Sequence, residues 1–340
     1  MRTIFFIAGL ILFFAACRKE ETLSVPEESD IYTLRVPAGF PQPDIPADNA
    51  LTRSRVALGR RLFYDPVLSK DSTRSCGSCH FPQRAFSDST AVSSGIEQRP
   101  GTRNTPSLAN VVYQKRLLRE GGIPTLEMQV LVPIQEHNEF DFNILLVAER
   151  LQRIPEYAAL AEKAYGRIPD AFVITRSIAA FERTLLSGDS PYDQYVFQGK
   201  PFALTASAKR GLELFQSKRL NCAKCHEGFL FSNQEYTNNG LYEVYPDSGR
   251  IRLTGLESDR GVFKIPSLRN AALTAPYMHD GSLPTLEAVV DHYRTGGKAH
   301  PNKSPILKPF ELTAEERADL LAFLRSLTDQ KFISNPEFRN

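Results

Sequence analysis

The sequence predicts an all-α protein built from two similar domains in tandem. Apolar residues recur at three-to-four-residue spacing, strand-type alternation is nearly absent, and several short motifs occur twice. The chain has 340 residues, 42% of them hydrophobic and 24% charged, which is enough for two domains that each bury a core. The formal net charge of +2 gives no argument for nucleic acid or an acidic membrane surface as a partner.

Five stretches carry the helical pattern. The predicted helices cover residues 54–63, 142–151, 171–186, a segment that begins after residue 205, and 313–327. Thr205 is placed to cap the fourth of them with its hydroxyl. Thr313 and Glu316 form a capping box at the head of the last.

The first residues are expected to be a targeting segment rather than part of the fold. Arg2 gives a positive start, and the apolar run 4–16 is too short to span a bilayer comfortably. A small residue directly before Cys17 resembles a bacterial lipoprotein cleavage box. We therefore predict a lipoprotein-type signal over residues 1–17, lipidation of Cys17, and a flexible tether over 18–48. The alternative is simple secretion with cleavage nearby, and both place the mature protein outside the cytoplasm.

Apart from Cys17, the cysteines lie in two C-x-x-C-H frames, SCGSCH at residues 75–80 and NCAKCH at residues 221–226. A disulfide framework is unnecessary, because a chain of this length can bury a hydrophobic core that is stable without disulfide bonds. A zinc site made of the four thiols would leave the histidine after each pair unexplained. A thioredoxin-type redox motif would sit near a βαβ pattern, which we do not find in this sequence.

Covalent haem explains both frames. Two thiols add to the haem vinyl groups, and the adjacent histidine reaches the iron from one face. The sequence therefore predicts two haem c groups, with His80 and His226 as proximal ligands. The attaching thiols are those of Cys76, Cys79, Cys222 and Cys225.

Other motifs are duplicated around the two frames. They are GRRLF and GLELF from residues 59 and 211, PSLAN and PSLRN from 106 and 266, and GGIPTLE and GSLPTLE from 121 and 281. The last two pairs share one offset, 160 residues. Together with the helical pattern, they predict two tandem cytochrome c-like domains, over residues 49–190 and 200–330, each with one haem c.

Four further motifs accompany the frames, at residues 103–106, 126–139, 263–270 and 274–281. In these features, over roughly residues 50 to 330, the chain resembles the bacterial dihaem cytochrome c peroxidases and their MauG relatives. The resemblance implies an enzyme that reduces hydrogen peroxide at the N-terminal haem. Electrons reach it through the C-terminal haem from a small periplasmic cytochrome c or cupredoxin. Membrane contact is expected only through the lipid anchor, and the oligomeric state is left open, a homodimer included.

The resemblance also implies how peroxide is handled. The first haem needs an open position opposite His80 and a group that moves a proton between the peroxide oxygens. The family's glutamate lies ten residues after a glutamine, which assigns Glu139 as acid/base and Gln129 as a hydrogen-bonding wall; the alternative for Glu139 is a solvated loop charge. Many relatives close the open position with a histidine that here is Ile96, so we expect a high-spin first haem. For His137, a pocket or surface role is favoured over iron ligation.

The resemblance also suggests the sixth ligand of the second haem. The family's ordinary peroxidases use a methionine fourteen residues after the histidine at His279, and here that position is Tyr293, as in the MauG branch. An anionic phenolate favours ferric and higher iron states. We rank Tyr293 first, His292 second and Met278 third, and the alternative for Tyr293 is a core or surface role.

Two expectations concern the region between the haems. Arg119 stands where the family usually has a tryptophan, and the chain contains no tryptophan. Arginine is not oxidised at accessible potentials, so charge must pass by direct tunnelling or through tyrosine. The resemblance also implies a calcium ion held by Asn104 and the backbone carbonyls of Thr274 and Pro276, an all-oxygen set suited to a hard cation. The alternative is that Asn104 caps a turn before Pro106.

Three functions are therefore compared. The first, and favoured, is the cytochrome c peroxidase, because it requires the fewest unseen partners. The second is a MauG-like oxidase that uses peroxide to modify residues of a partner protein; Tyr293 and Ile96 favour it and the missing tryptophan disfavours it. The third, a plain electron carrier, is disfavoured by the open pocket expected beside Glu139.

Overall fold

The computed structural model describes residues 30–340, which form a mostly helical protein, as the sequence predicts. The predicted signal peptide and its lipidation site Cys17 lie outside the described residues. Between residues 30 and 340, no helix is both long and apolar enough to cross a membrane.

The helices are grouped by domain. The first domain contains α1 (Arg53–Tyr64), α2 (Leu126–Gln135), α3 (Ile144–Gln152), α4 (Pro155–Tyr165) and α5 (Ala171–Arg183). The short α6 (Pro191–Val196) leads into the second domain, with α7 (Ala206–Gln216), α8 (Ile251–Thr254), α9 (Leu286–Arg294) and α10 (Ala314–Arg325), and α11 (Gln330–Ser334) follows it. Two short strands, β1 (Tyr236–Thr237) and β2 (Phe263–Lys264), pair antiparallel in the second domain.

The five predicted helices are confirmed as α1, α3, α5, α7 and α10. Thr205 caps α7 by accepting from the backbone N–H of Ala208, and Thr313 and Glu316 form the predicted capping box of α10. Helix α2 was not predicted, and it retains Pro133 in its interior. Its residues are apolar around most of the helix, so the sequence shows no clear amphipathic period there.

The duplication is visible in how the helices cross. In the first domain α1 lies so close to α5 that a Cβ on Gly59 would come within 1.8 Å of the Ser177 carbonyl oxygen. In the second domain α7 approaches α10 in the same way, and a Cβ on Gly211 would lie 1.9 Å from the Asp319 carbonyl oxygen. Each domain therefore has a glycine where two helix backbones touch, which any larger residue would separate.

Two asparagines join the domains at the linker. Asn110 and Asn270 come from the duplicated PSLxN motifs, and both adopt a left-handed backbone conformation with φ of 61° and 59°. The Asn110 amide exchanges two hydrogen bonds with the backbone of Ser187, at 2.8 and 2.9 Å. The Asn270 amide donates to the Ser187 hydroxyl at 2.9 Å and accepts from the backbone N–H of Asp329 at 2.8 Å. The repeated motifs thus meet on one buried loop.

A buried ion pair holds α6 against the second domain. The guanidinium of Arg269 donates two hydrogen bonds of 2.8 Å to the carboxylate of Asp193, and the two side chains are 1% and 0% exposed. The same guanidinium lies 4.5 Å from the ring centroid of Phe40. Arg269 therefore connects the second domain to two segments that precede it.

Residues 30–48 differ from the predicted flexible tether, because they pack on both domains. The Phe40 ring contacts Tyr113 of the first domain and Phe229 of the second, with centroids 6.0 and 4.8 Å apart. The Tyr113 hydroxyl also donates to the Pro41 carbonyl at 2.8 Å. Around Phe40 this proline-containing segment crosses the domain junction, and residues 30–48 are called the strap below.

Residues 330–338 return to the first domain. The rings of Phe332 and Phe338 lie 5.8 and 6.4 Å from the ring of Phe86, and all three belong to the core of the first domain. Tyr64 of α1 donates its hydroxyl hydrogen to the Phe338 carbonyl. The first core is thus completed by residues that come after the second domain in the sequence.

Candidate haem sites

The two C-x-x-C-H frames adopt the same local structure. In the first, the N–H groups of Cys79 and His80 donate to the Cys76 carbonyl at 3.2 and 3.0 Å. The second frame repeats these bonds to the Cys222 carbonyl at 3.2 and 3.0 Å. The tight turn brings two thiols and a histidine together, and all four thiols are free of disulfides.

Each frame histidine is fixed by a backbone carbonyl. The Nδ1 atom of His80 donates to the carbonyl of Phe86 at 2.7 Å, and Nδ1 of His226 donates to that of Phe231 at 2.9 Å. Both phenylalanines have a left-handed backbone, with φ of 61° and 51°. Burial lowers the pKa of both histidines, which keeps the rings neutral.

These donors fit haem c. A neutral imidazole whose Nδ1 is bonded to a carbonyl presents Nε2 as a metal ligand, and two unpaired thiols lie beside it. In the part of the chain that the structure describes, no three or more His, Cys, Asp or Glu side chains are grouped to hold a metal ion.

Glu139 lies on the turn that follows α2. Its N–H donates to the Glu136 carbonyl at 3.0 Å, and its own carbonyl accepts from the N–H of Ile96 at 2.9 Å. The side chain is solvent-accessible, yet burial among protein atoms, with Glu136 in second place, raises the pKa of its carboxyl to about 7. Such a carboxyl can be neutral or ionised at physiological pH.

The other residues predicted to handle peroxide, or to lie near it, are placed as follows. Gln129 is half-buried on α2, one turn before Pro133. Ile96 is 1% exposed, and its backbone bond to Glu139 joins the loop after the first frame to the turn after α2. His137 points to the surface, where its Nδ1 lies 3.3 Å from the carboxylate of Asp141, so the structure favours the surface role over ligation.

Tyr293 lies on α9 in the second domain. Burial raises the pKa of its phenol to about 12, and an amide hydrogen bond from Asn239 opposes that rise. The Cys225 and Cys222 thiols also raise this pKa, which places the phenol near the thiols of the second frame. Tyr293 as the sixth ligand of the second haem stays a prediction.

The two rivals of Tyr293 are held by the same asparagine. The Nε2 atom of His292 lies 3.0 Å from the Asn239 carbonyl oxygen, to which it donates. The Asn239 amide donates to the Met278 sulfur at 3.2 Å. Asn239 thus contacts all three candidate ligands, Tyr293 included, so these bonds do not separate them. Sequence reasoning missed Asn239, and the turn composition Asn-Asn-Gly was the only local signal.

Replacing Tyr293 with phenylalanine is expected to change the low-spin ferric signal of the second haem, because the Tyr293 phenolate ranks first among the candidate sixth ligands predicted from the sequence. Low-temperature electron paramagnetic resonance of the purified holoprotein measures this. His292→Gln is the matched control, since it alters the neighbouring side chain that bonds Asn239. A low-spin signal that persists unchanged in Tyr293→Phe but moves in His292→Gln would assign the ligand to the histidine.

Arg119 lies between the domains and binds the predicted calcium ligand. Its guanidinium donates to the Asn104 carbonyl at 3.2 and 2.8 Å and to Asn104 Oδ1 at 2.8 Å. Burial, followed by repulsion from Arg103, lowers the pKa of Arg119 to about 10, so it stays protonated at neutral pH. Thr274 and Pro276 are half-buried in the loop whose His279 carbonyl accepts from the Asn104 N–H at 2.8 Å.

An aromatic and ionic stack surrounds Arg119. Arg103 pairs with Glu120 and Asp247, and its guanidinium carbon lies 5.6 Å from the Phe263 ring centroid. The Phe263 ring is stacked on His279 at 4.1 Å. The region between the frames is therefore occupied by fixed charges and rings rather than by an indole.

The chain is similar to known proteins over most of its length. The family profile described as Di-haem cytochrome c peroxidase matches residues 53–201, and the cytochrome c profile matches residues 208–328. The methylamine utilization protein MauG of Methylorubrum extorquens is 39% identical over 297 residues, covering 86% of this chain and 82% of that protein.

A peroxidase and a solved structure give the same result. The cytochrome c551 peroxidase of Nitrosomonas europaea is 32% identical over 287 residues, covering 83% of this chain and 81% of that protein. The crystal structure of a MauG-like protein associated with microbial copper homeostasis has a TM-score of 0.86 at 35% identity, covering 90% of this chain and 98% of that chain. Two domains of this kind carry two haem c groups, one on each frame. The chain belongs to the family of dihaem cytochrome c peroxidases and MauG proteins.

Proposed function

We propose that this protein is a dihaem cytochrome c peroxidase, which reduces hydrogen peroxide to water at the haem of the first frame. The electrons come from a small periplasmic cytochrome c or cupredoxin and enter through the haem of the second frame. The observation that carries the proposal is the accessible carboxyl of Glu139, whose pKa of about 7 lets it both accept and donate a proton. A plain electron carrier has no use for such a group.

When bound, the haem supplies the iron chemistry at which the peroxide O–O bond is cleaved. The protein's part is proton movement: Glu139, as the carboxylate, would take the proton from one peroxide oxygen and, as the acid, would return it to the other. Each turnover consumes one hydrogen peroxide, two electrons and two protons and yields two waters. Gln129, through its side-chain amide, orients the peroxide as a hydrogen-bonding wall. Ile96 would supply no iron ligand, because its side chain has no donor atom.

A MauG-like oxidase is the second candidate. The observation that favours it is the placement of Tyr293 near the thiols of Cys222 and Cys225, since a phenolate favours ferric and higher iron states. In that function peroxide oxidises residues of a partner protein instead of a soluble electron donor. Arg119 and the absence of tryptophan from the sequence count against rapid charge sharing between the two haems.

The proposed function requires a location in the cell envelope. Residues 1–17 and the lipidation of Cys17 would export the chain and anchor it in the cell envelope, where a small redox protein can reach it. Membrane contact is then limited to the lipid anchor. The chain would work there as a monomer or a homodimer.

The function is tested with the purified holoprotein and two reduced donors, a small cytochrome c and a cupredoxin. We expect oxidation of one donor that requires peroxide, with two donor molecules consumed for each peroxide. Denatured holoprotein is the control for free haem chemistry. If peroxide is consumed without donor oxidation and residues of an added partner protein become oxidised, the protein is an oxidase of the MauG type and not a peroxidase. No reaction with peroxide would leave only the carrier.

A further inference from the structure

We propose that the guanidinium of Arg119 is the built-in cation of the interdomain site, and that it takes the place for which the sequence predicts calcium. The residues present do not fit a calcium ion, because the side-chain oxygen that should bind it already accepts a hydrogen bond from a fixed positive group. The inference concerns this region alone and does not depend on the proposed reaction.

The position of Arg119 follows from the internal duplication. Leu117 bridges to Ile123 in the first domain, and Tyr277 bridges to Leu283 in the second, at the same 160-residue offset as the repeated motifs. Within these turns Leu118 and Met278 both have a left-handed backbone, with φ of 67° and 78°. Arg119 and His279 directly follow these two residues, and both contact Asn104, Arg119 through its guanidinium and His279 through its carbonyl.

Asn104 is fully engaged by this arrangement. It is 5% exposed, and its side-chain N–H groups donate to the carbonyls of Thr90 and Ala91 at 3.3 Å each. The amide is therefore oriented with Oδ1 toward Arg119, which donates to it at 2.8 Å and donates twice more to the Asn104 carbonyl. A planar guanidinium presents its donors in a fixed fork, which suits two oxygens of one residue.

The charged groups around the site already have partners. The cations are Arg103, Arg119, Arg250 and Lys264, and the carboxylates are Glu120, Asp247, Asp259 and Asp280. Glu120 and Asp247 pair with Arg103, while Asp280 accepts from the Tyr242 hydroxyl at 2.6 Å. Lys264 donates to the carbonyl of Arg116 and to the side chain of Gln114. A calcium ion on Asn104 Oδ1 would add two positive charges beside Arg119 without adding any carboxylate ligand.

The proposal predicts that the holoprotein needs no calcium. Three proteins are compared: the wild type, Arg119→Ala, and the exposed control Arg116→Ala. Each is dialysed against about 1 mM calcium chloride and passed through gel filtration, and its bound calcium is then measured by mass spectrometry. We expect no stoichiometric calcium in the wild type and Arg116→Ala, and about one ion per chain in Arg119→Ala. Calcium should raise the Tm of Arg119→Ala alone, by about 2 °C or more.

Two results would overturn the proposal. One is calcium bound stoichiometrically to the wild type, with EGTA lowering its Tm or changing its haem spectrum. The other is a folded Arg119→Ala protein that still takes up no calcium. If Arg119→Ala does not fold, Asn104→Ala in the otherwise wild-type chain keeps the test: it should lower Tm by the same amount in calcium and in EGTA. A larger loss of Tm in calcium would show that Asn104 binds the ion.

Discussion

Replacing Glu139 with glutamine is expected to lower kcat/KM for hydrogen peroxide by about 10²- to 10⁴-fold, the range typical of a lost acid/base group. Glutamine keeps the size and polarity of the side chain but neither accepts nor releases a proton at neutral pH. Steady-state kinetics with a reduced cytochrome measure the effect. Haem content and the absorbance spectrum check that Cys76, Cys79 and His80 still hold the first haem.

The pH profile separates proton transfer from a structural role. Burial raises the pKa of Glu139 to about 7, so the carboxylate that starts the reaction forms as pH rises, and kcat/KM should increase through pH 7. This rise should be absent in Glu139→Gln. Glu136→Gln is the matched control: it removes the neighbouring charge that also raises this pKa, so activity should persist with its midpoint at lower pH. An unchanged midpoint in Glu136→Gln and a normal rate in Glu139→Gln would remove the assignment.

The largest loss of stability is expected for Arg269→Gln. Arg269 and Asp193 are 1% and 0% exposed, so removing the guanidinium leaves a carboxylate in the interior without a counter-charge. Breaking one side of such a pair costs about 3–5 kcal/mol in the free energy of unfolding. The substitution also removes the cation from the ring of Phe40, which loosens the strap over the domain junction.

Denaturant unfolding of the holoprotein measures this loss. Arg317→Gln is the matched control, because Arg317 pairs with Asp291 where the two side chains are 31% and 47% exposed, and such a pair is worth about 0–1 kcal/mol. Arg269→Lys keeps the charge without the two-pronged geometry and should fall between them. Equal losses of unfolding free energy for Arg269→Gln and Arg317→Gln would mean that the buried pair stabilises the protein no more than the exposed pair does.

Much of the fold follows from short-range signals in the sequence. The caps at Thr205 and Thr313 locate two helices, and the apolar spacing locates three others, because these signals act within one or two turns. The frames locate both proximal histidines, since the histidine directly follows its second thiol. What escapes prediction is the carbonyl that orients each ring, because any residue supplies a carbonyl.

The features that escaped prediction depend on distant contacts. Phe40 sits among prolines in a segment that resembles a linker, and only its two ring partners, far along the chain, show that the segment is packed. Arg119 was recognised as a departure from the family, but its bond to Asn104 depends on a left-handed turn at Leu118 that leucine rarely adopts. The predicted calcium ligands could be located from the family motifs. That Arg119 already bonds the Asn104 oxygen could not be predicted, because this bond depends on the same turn.

The return of α11 to the first domain has a consequence for biosynthesis. Phe332 and Phe338 are made only after the whole second domain, yet they pack against Phe86, whose carbonyl orients His80. A nascent chain therefore carries its first C-x-x-C-H frame on a domain whose core is still open. That order leaves Cys76 and Cys79 accessible for attachment and makes closure of the first domain a late, long-range folding step. A chain truncated before residue 330 should therefore lose the folded structure of the first domain before that of the second, although the truncation lies next to the second domain in the sequence.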